Sequence, residues 1–305
     1  MASYVAGFIC AGNMGGALAV AAVKQVGGAR VAVTCSTPEH TASTAARLDC
    51  RPETAENILA NSRFVFLGVK PQAVSGVLAG LTEAVASSEA VLVSMLAGVT
   101  LERLADLLGA DKKIIRIMPN TPCTVEEGLI LYAANDRVSG EELDAFRGLM
   151  RAAGVLDELP EHLIDAASAV SGCGPAYAYL FIEALADGGV KCGLPRSKAI
   201  RYAAQMLRGS AALVLQSGKH PELLRTRCAA PAAAPLPVWR HWRTVVSGGP
   251  ASPPWRRPAS ARRNLAEKRE QQKSRRRKSP VPRFFVYFYT VRASGLHRSS
   301  SKPVI

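Results

Sequence analysis

Short apolar runs recur along the first half of the chain, with little polar alternation inside them. They read YVAGFIC, ARVAVTC, RFVFLGV, AVLVSML and KKIIRIM, starting at residues 4, 29, 63, 90 and 112. Such continuous runs are typical of strands buried on both faces of a parallel sheet. The Ala-rich segments 15–26 and 39–48 are long enough for crossover helices. We therefore predict an α/β fold, a Rossmann-type doubly wound parallel sheet, over residues 1–160.

The pattern changes to helices alone over residues 161–225. Pro175 and Pro195 stand where helices are expected to start, and Gly193 and Gly218 where they are expected to end. The segment from Pro175 is apolar nearly all round, so we expect a buried helix. This region is predicted to be a truncated all-helical substrate and dimerisation domain.

Residues 226–305 differ from the rest in composition. They hold 18 of the 38 Lys and Arg residues but only 2 of the 24 acidic ones, together with ten of the 19 prolines. The excess positive charge of the chain therefore lies here, while residues 1–225 are slightly acidic. We predict a basic, Pro-rich, disordered tail without a core.

The seven cysteines have neither the spacing of a metal site nor that of a disulfide framework, so we expect no metal and reduced thiols. We see no apolar run long enough for a membrane span and no secretory leader before the first strand. These features predict a cytoplasmic protein without a membrane partner.

The stretch AGFICAGNMGGAL at 6–18 resembles the fingerprint G-x-G-x-x-G, with Cys10 in place of the first glycine. Gly12 lets the backbone approach a pyrophosphate, and Gly15 lets helix and strand pack closely. The helix that follows offers free N–H groups to a phosphate. Cysteine costs little here if its φ is negative, and roughly 1–2 kcal/mol if the turn demands a positive φ.

The end of the second strand bears on the choice of cofactor. NAD enzymes place an acid there to bind the ribose, but this strand ends VAVTCSTPEH, with no acid before Glu39. The hydroxyls of Thr34, Ser36 and Thr37 can accommodate a 2′-phosphate. The sequence favours NADPH, and NADH stays open.

Further motifs follow the predicted strands: FLGVKPQ, SMLAGVT, RIMPNTPC, and AVSGCGPAYAYLFIEALADGGVKCGLPR at 169–196. In this order and spacing, and together with the opening turn, they make residues 4 to about 225 resemble pyrroline-5-carboxylate reductase. Two positions depart from that family: Cys10 replaces a glycine and Cys173 a serine. The resemblance implies NADPH-dependent reduction of 1-pyrroline-5-carboxylate to L-proline, the last step of proline biosynthesis, by a homo-oligomer.

The resemblance also implies where the ligands bind. The residues implied for the cofactor are Phe8, Ile9, Cys10, Ala11, Gly12, Asn13, Met14, Ser36, Val69, Lys70 and Ala97. Those implied for the substrate pocket are Asn120, Thr121, Gly172, Gly174 and Pro175. A protonated ring imine is already electrophilic and the cofactor brings the hydride, so we assign no catalytic acid. His40, His162 and His220 are interpreted as surface residues at helix ends.

The family's turn of the form D-x-V-x-S-P-G-G-x-T, which holds the substrate carboxylate, is not found after SGKHPELL. One set of synonymous codons for residues 225–242, read from the third base of the first codon, encodes DAVCSPGGSTIAGVAAL. We therefore hypothesise a frameshift near Arg225 and interpret the tail as its product. Specific nucleic-acid binding is not expected.

One alternative is disfavoured and two stay open. A β-hydroxyacid dehydrogenase needs a catalytic lysine on the helix after Gly174, which carries none before Lys191. A basic tail with nearby Phe and Tyr suits a nucleic-acid-binding protein. A chain without the carboxylate turn suits a catalytically dead remnant that binds cofactor.

Overall fold

The computed structural model describes residues 2–69 and 74–228. An eight-stranded sheet runs through this part of the chain. Its strands are β1 (Tyr4–Ile9), β2 (Val31–Thr34), β3 (Arg51–Pro52), β4 (Ser62–Leu67), β5 (Val91–Ser94), β6 (Ile114–Met118), β7 (Gly128–Ala134) and β8 (Gly154–Glu158).

The strands lie in the order β3-β2-β1-β4-β5-β6-β7-β8. All neighbours are parallel except β6 and β7, which pair antiparallel. The chain leaves β1 towards one edge of the sheet and later returns to β4 on the other side of β1. The strand order therefore reverses between β1 and β4, where open α/β sheets bind their ligands.

Helices cover both faces of this sheet and continue beyond it. In the described residues they are α1 (Asn13–Val26), α2 (Pro38–Leu48), α3 (Ala55–Asn61), α4 (Val74–Ala79), α5 (Thr82–Ser87), α6 (Leu101–Leu108), α7 (Gly140–Met150), α8 (Glu161–Ser171), α9 (Gly174–Lys191), α10 (Arg196–Ser217) and α11 (Pro221–Cys228). The core has two layers, one on each face of the sheet. One buries Leu18 of α1 and Phe146 of α7, and the other buries Ile58 of α3 and Leu104 of α6.

Hydroxyl side chains fix the starts of several helices. Thr37, Thr54 and Thr100 each accept a hydrogen bond from the backbone N–H three residues on, at 3.2 Å. Ser139 does the same for Glu142, whose carboxylate accepts the Ser139 N–H in return. Such caps satisfy amides that the helix leaves unpaired, each stabilising it by about 1 kcal/mol.

The predicted α/β fold class is confirmed. All five apolar runs form strands, and the two Ala-rich segments form α1 and α2. Strands β3, β7 and β8 were not predicted. Pro175 lies in the first turn of α9 and Pro195 caps α10, while Gly218 caps the end of α10 in the left-handed conformation.

The prediction that the helix from Pro175 is buried is wrong for the single chain. In α9 only Ala186 is buried, and Tyr177, Tyr179, Leu180 and Leu185 are exposed. The reason is that α9 contacts α8 and α10 and leaves its remaining apolar surface uncovered by other described residues.

The described residues all fall within one compact unit, so the boundary placed at residue 160 stays a prediction. The tail prediction for 226–305 lies outside the described residues from 229 onward. Within the described part, none of the helices is both long and apolar enough to cross a membrane.

Gly7 of β1 allows α3 to approach the sheet closely. A Cβ there would lie 2.3 Å from Ile58 Cγ2 and 2.7 Å from Ser62 Oγ. We predict that Gly7→Ala lowers the free energy of unfolding by about 1–3 kcal/mol, because the core must shift to admit the methyl group. Urea denaturation measures this change.

Gly148→Ala is the matched control for that substitution. Gly148 lies inside α7 with nothing within 4 Å of an added Cβ. Alanine should stabilise the helix there by about 0.5–1 kcal/mol. Equal unfolding midpoints for the two variants would contradict the close packing of α3 on β1.

Candidate active site

The carboxyl ends of β1 and β4 meet in a crevice built from backbone. The Gly68 N–H donates to the Ile9 carbonyl at 2.9 Å. A Cβ at Gly68 would lie only 2.4 Å from the Cys10 carbonyl oxygen, so this position admits no side chain without movement. The glycine therefore keeps the two strand ends together at the point where the strand order reverses.

The turn from β1 to α1 passes through Cys10, whose φ is +65°. Its N–H donates to the Thr34 carbonyl at 3.0 Å, and its own carbonyl accepts the Gly12 N–H at 2.8 Å. The turn thus demands the positive φ that glycine adopts freely, and the cysteine carries the cost of roughly 1–2 kcal/mol expected for an L-residue there.

The other two fingerprint glycines have different surroundings. A Cβ at Gly12 would meet nothing within 4 Å, so this backbone faces open space. A Cβ at Gly15 would lie 3.2 Å from the Cys10 carbonyl, as expected where helix and strand pack closely. Gly12 caps α1 without a side-chain hydrogen bond, and the first turn of α1 carries no acid. The N-terminus of α1 can therefore receive a phosphate.

Two of the residues implied for the cofactor lie beneath the turn. Phe8 is fully buried and its ring stacks on Phe66 with centroids 4.4 Å apart, and Ile9 is 2% exposed. Both are paired within the sheet. They support the turn from below, whereas Gly12, Asn13 and Met14 reach the surface.

A cleft of about 420 Å³ opens at the end of β2, lined by Thr34, Cys35, Ser36, Thr37, Pro38, Thr41, Pro52, Glu53, Thr54 and Ala55. Thr37 is engaged in capping α2, and the Thr41 hydroxyl accepts the Cys35 N–H at 2.9 Å. Ser36 is exposed at the mouth of the cleft. The hydroxyls predicted to accommodate a 2′-phosphate therefore line this cleft.

Glu53 is an acid of this cleft that was not predicted from the sequence. It follows β3, far along the chain from the end of β2, and no local pattern connects the two. Its carboxylate accepts the Tyr4 hydroxyl at 2.6 Å and the Asn57 amide at 3.1 Å. These two bonds hold the pKa of Glu53 below its usual range. Both carboxylate oxygens therefore have partners within the protein.

All seven cysteines are free thiols. Burial raises the pKa of the Cys10 thiol, and the neighbouring Cys35 raises it further. Burial is the main cause, and the charge of Asp49 the second, of the rise in the pKa of Cys50 to about 11. Both thiols are therefore neutral at physiological pH, and Cys10 adds no negative charge to the turn.

The segments that follow β4 and β5 lie at the same end of the sheet as the β1–α1 turn. Val69, after β4, is buried, and Ala97, after β5, is exposed beside Gly98, whose φ is +75°. Lys70, also implied for the cofactor, lies outside the described residues. Since β4, β5 and β6 are adjacent and parallel, the segments following them lie side by side.

The structure brings one implied substrate residue against the turn Gly172–Pro175. Asn120 follows β6, and its side-chain amide donates to the Ser171 carbonyl at 3.1 Å, directly before that turn. Thr121 begins a 3₁₀ turn and is exposed, and Gly174 and Pro175 begin α9. Asn120 and Thr121, which follow β6, therefore lie beside the Gly172–Pro175 turn.

The histidines at 40, 162 and 220 are exposed at helix ends, which agrees with their interpretation as surface residues. His40 lies in the first turn of α2, His162 in the first turn of α8, and His220 just before α11. Within 2–69 and 74–228, no three His, Cys, Asp or Glu residues are grouped so that they could bind a metal ion.

Comparisons with known proteins found matches both to the N-terminal strand-and-helix part of the chain and to the helical part that follows it. A family model described as pyrroline-5-carboxylate reductase dimerisation matches residues 161–234, and one described as NADP oxidoreductase coenzyme F420-dependent matches residues 5–98. Pyrroline-5-carboxylate reductase 3 of Xenopus laevis is 40% identical over 202 residues, covering 66% of this chain and 73% of that protein. The Escherichia coli K12 pyrroline-5-carboxylate reductase is 35% identical over 237 residues, covering 77% and 88%.

The chain belongs to the pyrroline-5-carboxylate reductase family. Its fold is similar to that of the Streptococcus pyogenes enzyme, with a TM-score of 0.71, 27% identity and coverage of 88% and 98% of the two chains. It is also similar to the Plasmodium falciparum pyrroline carboxylate reductase solved with NADP bound, with a TM-score of 0.69, 28% identity and coverage of 79% and 90%. The family match reaches residue 234, beyond the boundary expected at residue 225.

The positive φ of Cys10 yields a stability prediction. Cys10→Gly and Cys10→Ala both remove the thiol, but only glycine adopts this φ freely. We expect the glycine variant to be the more stable by about 0.5–1 kcal/mol, after allowance for the extra freedom of glycine in the unfolded chain. Urea midpoints measure the difference, and an alanine variant at least as stable as the glycine variant would contradict it.

Proposed function

We propose that this protein catalyses the NADPH-dependent reduction of 1-pyrroline-5-carboxylate to L-proline. The observation that carries the proposal is that similarity to a single reductase of 1-pyrroline-5-carboxylate spans 88% of the Escherichia coli enzyme, across both the dinucleotide fold and the helical part. The alternatives, a dehydrogenase, a cofactor-binding remnant and a nucleic-acid-binding protein, are not favoured by these relatives.

The crevice fits a dinucleotide. Gly12 leaves open space above the turn, and the glycine at 68 lets β1 and β4 meet without a side chain between them. We assign the pyrophosphate to the backbone of residues 10–14 and the 2′-phosphate to Ser36. Val69, Lys70 and Ala97 are proposed to lie along the rest of the cofactor. When bound, NADPH supplies a hydride from its nicotinamide ring.

The chain's own residues have a positioning task. The imine carbon of the protonated substrate gains a hydride while its nitrogen keeps the proton, so the product is a secondary amine and no side chain needs to exchange a proton in that step. Asn120, Thr121 and the Gly172–Pro175 turn are proposed to place the substrate ring against the cofactor. The cofactor is proposed to lie along the carboxyl ends of β1, β4 and β5, which we call the cofactor edge. Orientation of this kind lowers the barrier without a catalytic acid.

Assembly and compartment are proposed on separate observations. The apolar side chains exposed on α9 and α10, among them Leu180, Tyr202 and Leu213, support a homo-oligomer joined through these helices. The match to the dimerisation family over residues 161–234 agrees with that proposal. The free state of all seven cysteines supports a reducing compartment such as the cytoplasm.

The proposed activity is tested by following NADPH oxidation by the purified full chain with 1-pyrroline-5-carboxylate, and by identifying L-proline as the product. Gly12→Ala should lower kcat/KM at least tenfold, because its methyl group occupies the space proposed for the pyrophosphate. Its unfolding midpoint should stay near that of the parent chain.

Gly140→Ala is the control, since Gly140 begins α7 with nothing within 4 Å of an added Cβ. It should keep full activity. A folded parent chain that binds NADPH but forms no proline would overturn the proposed reaction.

Cofactor choice gives a second prediction. Ser36→Asp places a carboxylate where the 2′-phosphate is proposed, so repulsion should raise the KM for NADPH at least tenfold and that for NADH much less. Ser43→Asp adds the same charge on the exposed side of α2, outside the cleft. Equal changes in the two variants would argue against Ser36 as the phosphate ligand.

A further inference from the structure

Helix α8 leads directly into the Gly172–Pro175 turn, so its placement sets the position of that turn. The turn is tied to the end of α8, because the N–H groups of Gly172 and Cys173 donate to the Ser168 carbonyl at 2.8 and 3.2 Å. A shift or tilt of α8 would therefore move the turn with it.

The N-terminal end of α8 is attached to β6 by a buried arginine. Arg116 is 2% exposed, and its guanidinium lies 3.0 Å from Glu161 Oε1 and 2.7 Å from Asp165 Oδ1. These two acids are four residues apart and so lie on one face of α8. Charge-assisted bonds from a planar, buried guanidinium fix this end with directional geometry.

Glu161 also connects α8 to the start of α6, which follows the loop after β5. Its Oε1 also accepts the N–H of Leu101 at 2.6 Å. Leu101 begins α6, immediately after the loop that holds Ala97 and Gly98. The loop proposed to lie along the cofactor and the helix that carries the substrate turn are thus joined through a single carboxylate.

The C-terminal end of α8 is attached to the continuation of β6 by Asn120. Its amide nitrogen donates to the Ser171 carbonyl at 3.1 Å, and its amide oxygen accepts the Leu129 N–H of β7 at 2.9 Å. Asn120 is four positions beyond Arg116 along an extended segment, so the two residues are about 13 Å apart. Ten residues of helix separate Glu161 from Ser171, about 15 Å. Two attachments at matching separations fix both the shift and the tilt of the helix.

We propose that Arg116 and Asn120 are positioning residues of the reductase, which hold α8 so that the Gly172–Pro175 turn meets the substrate at the cofactor edge. The inference rests on the proposed function. Arg116 acts through its bonds to Glu161 and Asp165 of α8. Asn120, besides its proposed place beside the substrate ring, acts through its bond to Ser171 of the same helix. Their loss should therefore impair the alignment for hydride transfer more than it impairs cofactor binding.

The decisive variant is Asn120→Asp in the full chain. It keeps the acceptor for Leu129 but turns a carboxylate oxygen towards the Ser171 carbonyl. We expect faster amide hydrogen exchange at residues 171–176 with unchanged exchange at Leu129, and a Kd for NADPH within twofold of the parent. The kcat/KM for 1-pyrroline-5-carboxylate should fall at least tenfold, and the primary isotope effect with 4-deuterated NADPH should rise.

Asn135→Asp is the matched control at the opposite end of β6. Asn135 makes the same two-sided contact, accepting the Ile114 N–H at 3.1 Å and donating to the Lys112 carbonyl at 2.8 Å. This variant should leave both the exchange at 171–176 and the isotope effect unchanged. Glu161→Gln, which neutralises the partner of Arg116 in place, should shift the isotope effect in the same direction as Asn120→Asp.

Two results would overturn the proposal. One is unchanged exchange at 171–176 in Asn120→Asp. The other is faster exchange there with kinetics equal to those of Asn135→Asp, which would make Asn120 a structural residue only. A parent chain without reductase activity would instead reject the proposed function, and the exchange measurement would still decide whether Asn120 holds the turn.

Discussion

The contact between the carboxyl ends of β1 and β4 is the constraint on which the rest of the site depends. The Ile9 carbonyl accepts the Gly68 N–H, and the Cys10 carbonyl lies where any side chain at position 68 would collide with it. Because the strand order reverses at this contact, the helices that follow the two strands diverge and leave a crevice. Cys10 keeps the turn in the left-handed region, and Gly12 then faces open space at the start of α1.

A second set of contacts relates the helical part to that crevice. Strand β6 ends beside β5, and the side chains of Arg116 and Asn120 hold α8 at its two ends. The same region leaves apolar side chains of α9 and α10 uncovered within the described chain. The fold therefore combines the β1–β4 crevice with an apolar helical surface that we propose a second copy of the chain covers.

Much of the fold follows from the sequence for a clear physical reason. Strands buried on both faces cannot carry charge inside, so their continuous apolar runs stand out, and five of them were predicted from that signal. The run GLILYAA of β7 carries the same signal and was overlooked. Strand β3 has two exposed residues and leaves no such pattern. The burial predicted for α9 is wrong because an apolar helix can equally serve a surface between chains.

The turn after β1 and the hydroxyls at the end of β2 could be located from local motifs, as at Gly12, Gly15 and Ser36, and their roles in binding stay predictions. The sign of φ at Cys10 could not be predicted, because it depends on the bonds that its own N–H makes to the Thr34 carbonyl and that its carbonyl accepts from the Gly12 N–H. Glu53 enters the cleft through β3, and Asn120 reaches Ser171 across 51 positions of the chain. Contacts of this kind are products of tertiary packing and have no local signature.

The most direct test of the central claim is a crystal structure of the full chain with NADP+ bound. We expect the pyrophosphate against the backbone of residues 10–14, with Cys10 still at positive φ, and the 2′-phosphate at Ser36. A dinucleotide bound away from the β1–β4 crevice, or a turn that must rearrange Cys10 to admit it, would contradict the account.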